Sequence, residues 1–160
     1  MERKEYMKLA IERARETSSN NIGGPFGACV VKDGEIIAVS SNSVLRDHDA
    51  TAHAEVNAIR EAGKKLGTYD LTGCELYATG YPCPMCLSAI IWANIKTVYY
   101  GGELKDAEKI GFRDDFIYDF IKSNNKNDNI LSLQSLSHDE CVKLFEEYEK
   151  QNNKIYLGEI

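Results

Sequence analysis

Apolar residues recur at three- and four-residue spacing at the start of the chain. Met7, Ala10, Ile11 and Ala14 lie among charges over residues 2–17, which predicts an amphipathic helix. A polar stretch then closes on Gly23-Gly24-Pro25, a loop signal. Two short apolar runs follow, 26–31 and 35–39, with Asp33-Gly34 between them. That pair between two such runs predicts a hairpin. Residues 40–52 read as a polar loop. The stripe Ala54, Ala58, Ile59, Ala62 and Leu66 predicts a helix over 53–66 that ends at Gly67. Residues 74–79 read as a strand. Residues 85–93 read as a nearly all-apolar helix, expected to be buried on most sides. A β-branched and aromatic strand covers 96–100 and stops at Gly101-Gly102. Short helices are expected at 104–110 and 116–121, an edge strand at 130–136, and a final helix at 138–151. Cys141, Leu144, Phe145 and Tyr148 share one face of that helix.

Strands separated by helices imply parallel pairing, and the hairpin adds an antiparallel pair. The expected fold class is α/β: a three-layer α/β/α sandwich with a mixed sheet of about five strands. A chain of 160 residues with neither repeat nor linker suits one domain, 1–160.

Composition narrows the function. No apolar run approaches the roughly 18 residues of a membrane span. The charges of MERKEYMKLAIERARE interrupt any secretory signal, so the expected location is cytoplasmic. A net charge of -6 weighs against a nucleic-acid partner, which needs clustered Lys and Arg. Five cysteines is an odd number, and a reducing compartment disfavours a disulfide framework.

Two segments then stand out: His53-Ala54-Glu55 and Pro82-Cys83-Pro84-Met85-Cys86. Each follows a loop at the expected start of a helix. Cys-x-x-Cys at a helix start aims two sulfurs at one point, and the exposed N–H groups there favour thiolates. Alone, the pair is open to three readings: metal ligands, a redox couple, or buried thiols. His53 adds a third donor. Three protein ligands plus water is the catalytic zinc arrangement, whereas structural sites close with four. Cys29, Cys74 and Cys141 sit in apolar patterns and read as buried thiols. His48 reads as a loop residue and His138 as a helix start. Side chains two apart on a helix point about 200° apart, so His53 and Glu55 converge only on a metal near the helix end. Glu55 is then placed to move protons rather than to bind the metal.

At these residues the chain resembles the zinc-dependent cytidine deaminase superfamily, whose signature is His-x-Glu with Pro-Cys-x-x-Cys. Within it, the chain is similar to the bacterial guanine deaminases. That likeness rests on Gly23-Gly24-Pro25-Phe26-Gly27-Ala28, Asn42, Thr51 to Val56, Pro82 to Leu87 and Gly111 to Tyr118. It is close over about residues 1–122 and vague afterwards. It implies a cytidine-deaminase-like fold, one Zn²⁺ per chain on His53, Cys83 and Cys86, and hydrolysis of a small nucleobase. Guanine and water would give xanthine and ammonia, with Glu55 as the proton shuttle. It also implies a substrate-binding set. Phe26 would stack on the ring. Asn42, with a donor and an acceptor, suits a purine edge. Ala54 joins the set, and Asp114 would accept from ring N–H groups that guanine has and adenine lacks. A homodimer is implied, with the segment from about 130 to 160 swapped onto a partner and Tyr156 covering the partner's pocket.

The chain departs from this pattern at Tyr81, where the family usually has an acid, at Thr79-Gly80, at Ala50 and at His48. These touch substrate identity rather than reaction type. Guanosine, a pterin or a triazine stays open as substrate. A tRNA adenosine deaminase would need a basic C-terminal helix, yet residues 137–160 hold six acids and three lysines. A silent zinc-binding interaction module would have no use for Glu55.

Overall fold

The computed structural model describes residues 1–152 and 154–156. The elements in chain order are α1 (Arg3–Ser19), β1 (Gly27–Lys32), β2 (Glu35–Ser41), α2 (Val44–Asp47), α3 (Ala54–Leu66), β3 (Cys74–Gly80), α4 (Pro84–Trp92), β4 (Thr97–Gly102), α5 (Leu104–Lys109), α6 (Asp115–Lys122) and α7 (His138–Lys150). They form two compact units, the first ending at Arg113 and the second beginning at Asp114.

The first unit is built on a sheet of order β2-β1-β3-β4. β1 pairs antiparallel with β2 and β3, and β3 pairs parallel with β4, so the sheet is mixed as expected. Asp33 and Gly34 both take positive φ, 49° and 78°, as a two-residue hairpin turn requires. The period-two alternation of β1 and β3 sorts their side chains. Ala28, Val30, Leu76 and Ala78 pack with Ala54, Ala58, Ala62 and Ile90 of α3 and α4. Cys29, Val31 and Tyr77 pack with Tyr6 and Ala10 of α1. Helices therefore cover both faces. Ile37 and Ala38 are neighbours yet share one core, because a bulge opposite Val30 and Val31 leaves Ile37 without a partner and shifts the register.

Gly27 lies directly under α1, and a methyl group there would collide with the Ala10 carbonyl oxygen. Backbone cannot rotate away as a side chain can. Gly27→Ala is expected to cost about 3 kcal/mol, at the upper end for overpacking, read as a lower urea midpoint at unchanged slope. Tyr77 is 1% exposed, stacks on Tyr99 with centroids 5.0 Å apart, and donates its phenol hydrogen to Glu75. Burial, and then Glu75, push its pKa well above the ordinary tyrosine value. Stability from a phenol raised in the fold is full below the unfolded pKa of about 10 and is lost as pH rises toward the folded value. Alkaline unfolding monitored by circular dichroism is expected to be shallower in Tyr77→Phe than in the wild type.

Four expectations are corrected. The described sheet has four strands, because residues 131–136 take no regular structure. Leu131, Leu133 and Leu136 break period two, and no neighbouring strand completes their ladder. Residues 44–47 form the one-turn helix α2 inside the expected loop, too short for any periodicity to show. α4 is not buried on most sides, since Ile91 and Trp92 are 69% and 61% exposed. Cys141 is exposed rather than a buried thiol, as are Leu144 and Phe145 on the same helix face. Nothing among the described residues covers that face. Cys29 and Cys74 are buried as expected. No helix among the described residues is long and apolar enough to cross a membrane.

Candidate active site

The two motifs open the two helices of one core. His53 is the N-cap of α3 and Cys83 the N-cap of α4, with Pro84 at the first helical turn, where its missing N–H costs nothing. The packing of these helices brings the caps together. His53 Nδ1 lies 3.5 Å from Cys83 Sγ and 3.6 Å from Cys86 Sγ, and the three donor atoms are all within 4.8 Å of one another. The Cys86 N–H donates to Cys83 Sγ at 3.4 Å. The Cys83 thiol is pulled down to about 4, first by the Cys86 thiol and then by His53 and the Cys86 N–H. Cys86 is pushed up by the same thiol pair and by burial, and the His53 imidazole is pushed up chiefly by Cys83. Protons are thus already shared unevenly among three groups that a metal would compete for.

Glu55 lies in the first turn of α3 and is 7% exposed. Burial pushes its carboxyl above the usual range, the direction a proton carrier at neutral pH needs. Phe26 and Asn42 form a second group. The Asn42 N–H donates to the Phe26 carbonyl at 3.0 Å, which extends the hairpin ladder by one step. Asn42 Oδ1 accepts from Gly24 N at 3.3 Å and from Val44 N at 3.1 Å. Two N–H donors fix the amide orientation, so Asn42 presents its Nδ2 donor rather than both ends. Ser43 N bonds to Ala52 O at 2.9 Å, which ties this loop to the residue preceding His53. The Phe112 ring stands edge-on to Phe26, with centroids 5.1 Å apart; its signal in the sequence was an aromatic after Gly111, to which no role could be attached. Tyr81 meets Tyr100 edge-on at 4.9 Å. Asp114 is the N-cap of α6 and Tyr156 is exposed, both in the second unit.

The family model for the cytidine and deoxycytidylate deaminase zinc-binding region matches residues 1–102. The chain belongs to this family. Among its relatives, guanine deaminase from Bacillus subtilis is 52% identical over 118 residues, 74% of this chain and 76% of that one. The solved structure of the same enzyme matches with a TM-score of 0.90 at 43% identity, covering 98% of this chain and 100% of that one. Guanine deaminase from Nitrosomonas europaea matches with a TM-score of 0.65 at 34% identity, over 68% of this chain and 63% of that one. A tRNA-specific adenosine deaminase from Buchnera aphidicola is more distant at 34% identity, over 91% of this chain and 92% of that one.

The donors of this zinc-binding deaminase domain fit the metal. Tetrahedral zinc with bonds of about 2.3 Å to sulfur and 2.0 Å to nitrogen separates N from S by about 3.5 Å. The two N–S separations here, 3.5 and 3.6 Å, match that value.

Proposed function

We propose that the chain hydrolyses guanine to xanthine and ammonia, with His53, Cys83 and Cys86 holding one zinc ion and Glu55 moving the protons. The observation that carries this reading is a buried carboxylate, raised by its burial, beside a cluster of three ligands among the described residues. Zinc bound there would supply Lewis acidity and lower the pKa of a water. Glu55 takes one proton from the attacking water as its oxygen bonds to the ring carbon and gives it to the adjacent ring nitrogen; it then takes the second proton, from the new hydroxyl, and gives it to the amine as the carbon–nitrogen bond breaks. Phe26 offers an aromatic face to the purine. Asn42 Nδ2 donates to an acceptor on its edge. Ala54 has a wholly buried side chain and contributes the backbone of the first turn of α3, whose N–H groups have no helical partner. Asp114 accepts from the ring N–H and exocyclic amine of guanine, and Tyr156 covers a pocket, in keeping with a domain-swapped homodimer. Exposed Ile91 and Trp92 on α4 support association of two copies. Guanine is favoured over tRNA by the 52% identity to a guanine deaminase and by the acidic C-terminal helix. Five unpaired cysteines, two of them needed as thiolates, support a reducing cytoplasm.

The test is ammonia release by zinc-loaded protein with guanine, guanosine, adenine, cytosine and an anticodon hairpin. Guanine is expected to dominate. Turnover of another member with guanine inert overturns the substrate. No turnover at all favours a silent zinc module.

A further inference from the structure

One polar stripe runs along α3 at four-residue spacing and laces the helix to the strand beside it. Asn57 Nδ2 donates to Ser41 O at 2.8 Å, Ser43 Oγ at 2.9 Å and Ala52 O at 3.4 Å. One turn on, Glu61 accepts from Ser40 Oγ. After another turn, Lys65 Nζ donates to Ile36 O at 3.2 Å. Residues four apart share a helix face, so the three side chains act along one seam. β2 is an edge strand of the described sheet, held by its pairing with β1, by its seam with α3 and by α1, whose Arg13 donates to Val39 O at 2.8 Å.

The site end of the seam differs from the rest. Asn57 grips both residues flanking Asn42 and also the residue before His53. Ser43 Oγ, which it engages, donates onward to Asp47 at 2.6 Å and so has its own direction set. The helix carrying His53 and Glu55 is thereby held in one register against the loop carrying Asn42. A helix rises about 1.5 Å per residue, and a shift of about 1 Å between reacting groups can cost a hundredfold in rate.

We propose that Asn57 is a positioning residue that sets Asn42 against Glu55 and acts on turnover through Asn42. The proposal rests on the reading that Asn42 holds the base while Glu55 moves its protons. Neither Glu61 nor Lys65 shares the role, because their bonds meet β2 further from the site.

The test is a double-mutant cycle of Asn57→Asp with Asn42→Ala. Each protein is assayed for zinc content, Tm, kcat and KM on whichever base of the panel above the wild type turns over. Asp keeps the shape of Asn but turns the donor into an acceptor facing two carbonyl oxygens. In the wild-type background kcat/KM is expected to fall at least tenfold with zinc at one per chain. In the Asn42→Ala background the same change is expected to cost less than twofold. Lys65→Met, at the far end of the seam, is expected to lower Tm with kcat/KM unchanged in both backgrounds. Equal losses in the two backgrounds, a loss that follows zinc content, or the same loss from Lys65→Met overturns the proposal. If Asn57→Asp does not fold, Asn57→Ser, a shorter donor, completes the cycle. Guanine inert while another base turns over defeats only the substrate reading. No turnover of any base defeats both.

Discussion

Glu55→Gln is expected to keep one zinc per chain and to lose at least about a thousandfold in kcat. General acid–base catalysis by one group contributes typically about 10²–10⁴-fold, and in the proposed mechanism Glu55 serves both the attack and the departure of ammonia, which places the loss in the upper part of that range. Gln has the same shape and cannot carry the proton. The variant isolates the proton from the packing, because a neutral amide at a 7% exposed position removes the cost of burying a charge. Its Tm is expected to equal or exceed that of the wild type, with Phe26, Asn42 and the ligands undisturbed. Substantial turnover in the zinc-loaded variant would remove Glu55 from the mechanism.

Cys86→Ala is expected to empty the metal site. Cys86 is fully buried and supplies one of the three donors brought together among the described residues. Zinc sites built on protein ligands are worth about 10–16 kcal/mol in small domains, so losing one of three ligands removes on the order of 4 kcal/mol, or about a thousandfold in affinity. Zinc analysis after gel filtration should fall from one per chain to a small fraction, with activity lost in parallel. A strong chelator should do the same to the wild type, and added zinc should restore the wild type but not the variant. Thiol titration gives an independent reading. In the zinc-loaded protein Cys141, the exposed cysteine, should react first. Chelation should add Cys83, which is half-buried and held low at about 4. Cys29, buried and pushed up to about 11, should stay silent until unfolding. Zinc retained by Cys86→Ala would mean a different ligand set.

The site was more legible than the outer parts of the fold. His53-Ala54-Glu55 and Cys83 to Cys86 could be read because their chemistry is local: a cap, a helix start and a three-residue spacing lie within one turn. The hairpin was legible for the same reason, since Asp33 and Gly34 alone satisfy its backbone angles. Cys141 and residues 131–136 were misread because an apolar pattern states what a segment can bury, not whether a neighbour arrives to bury it. Ile91 and Trp92 repeat that lesson on α4.

By itself, then, the sequence determined the starts of α3 and α4, the turn, the three donor atoms that the fold brings together and the buried acid proposed to serve them. Each follows from residues a few positions apart, where chain geometry leaves little choice. Tertiary structure decided the rest. It brought His53 within 3.6 Å of sulfurs thirty and more residues away. It turned Asn42 so that only its donor end is presented, through Gly24 and Val44. It set α3 against β2 through Asn57, a residue just past the His53-Ala54-Glu55 motif that no pattern in the sequence marks. Such arrangements depend on the register between packed elements, and no pattern along a single segment encodes that register.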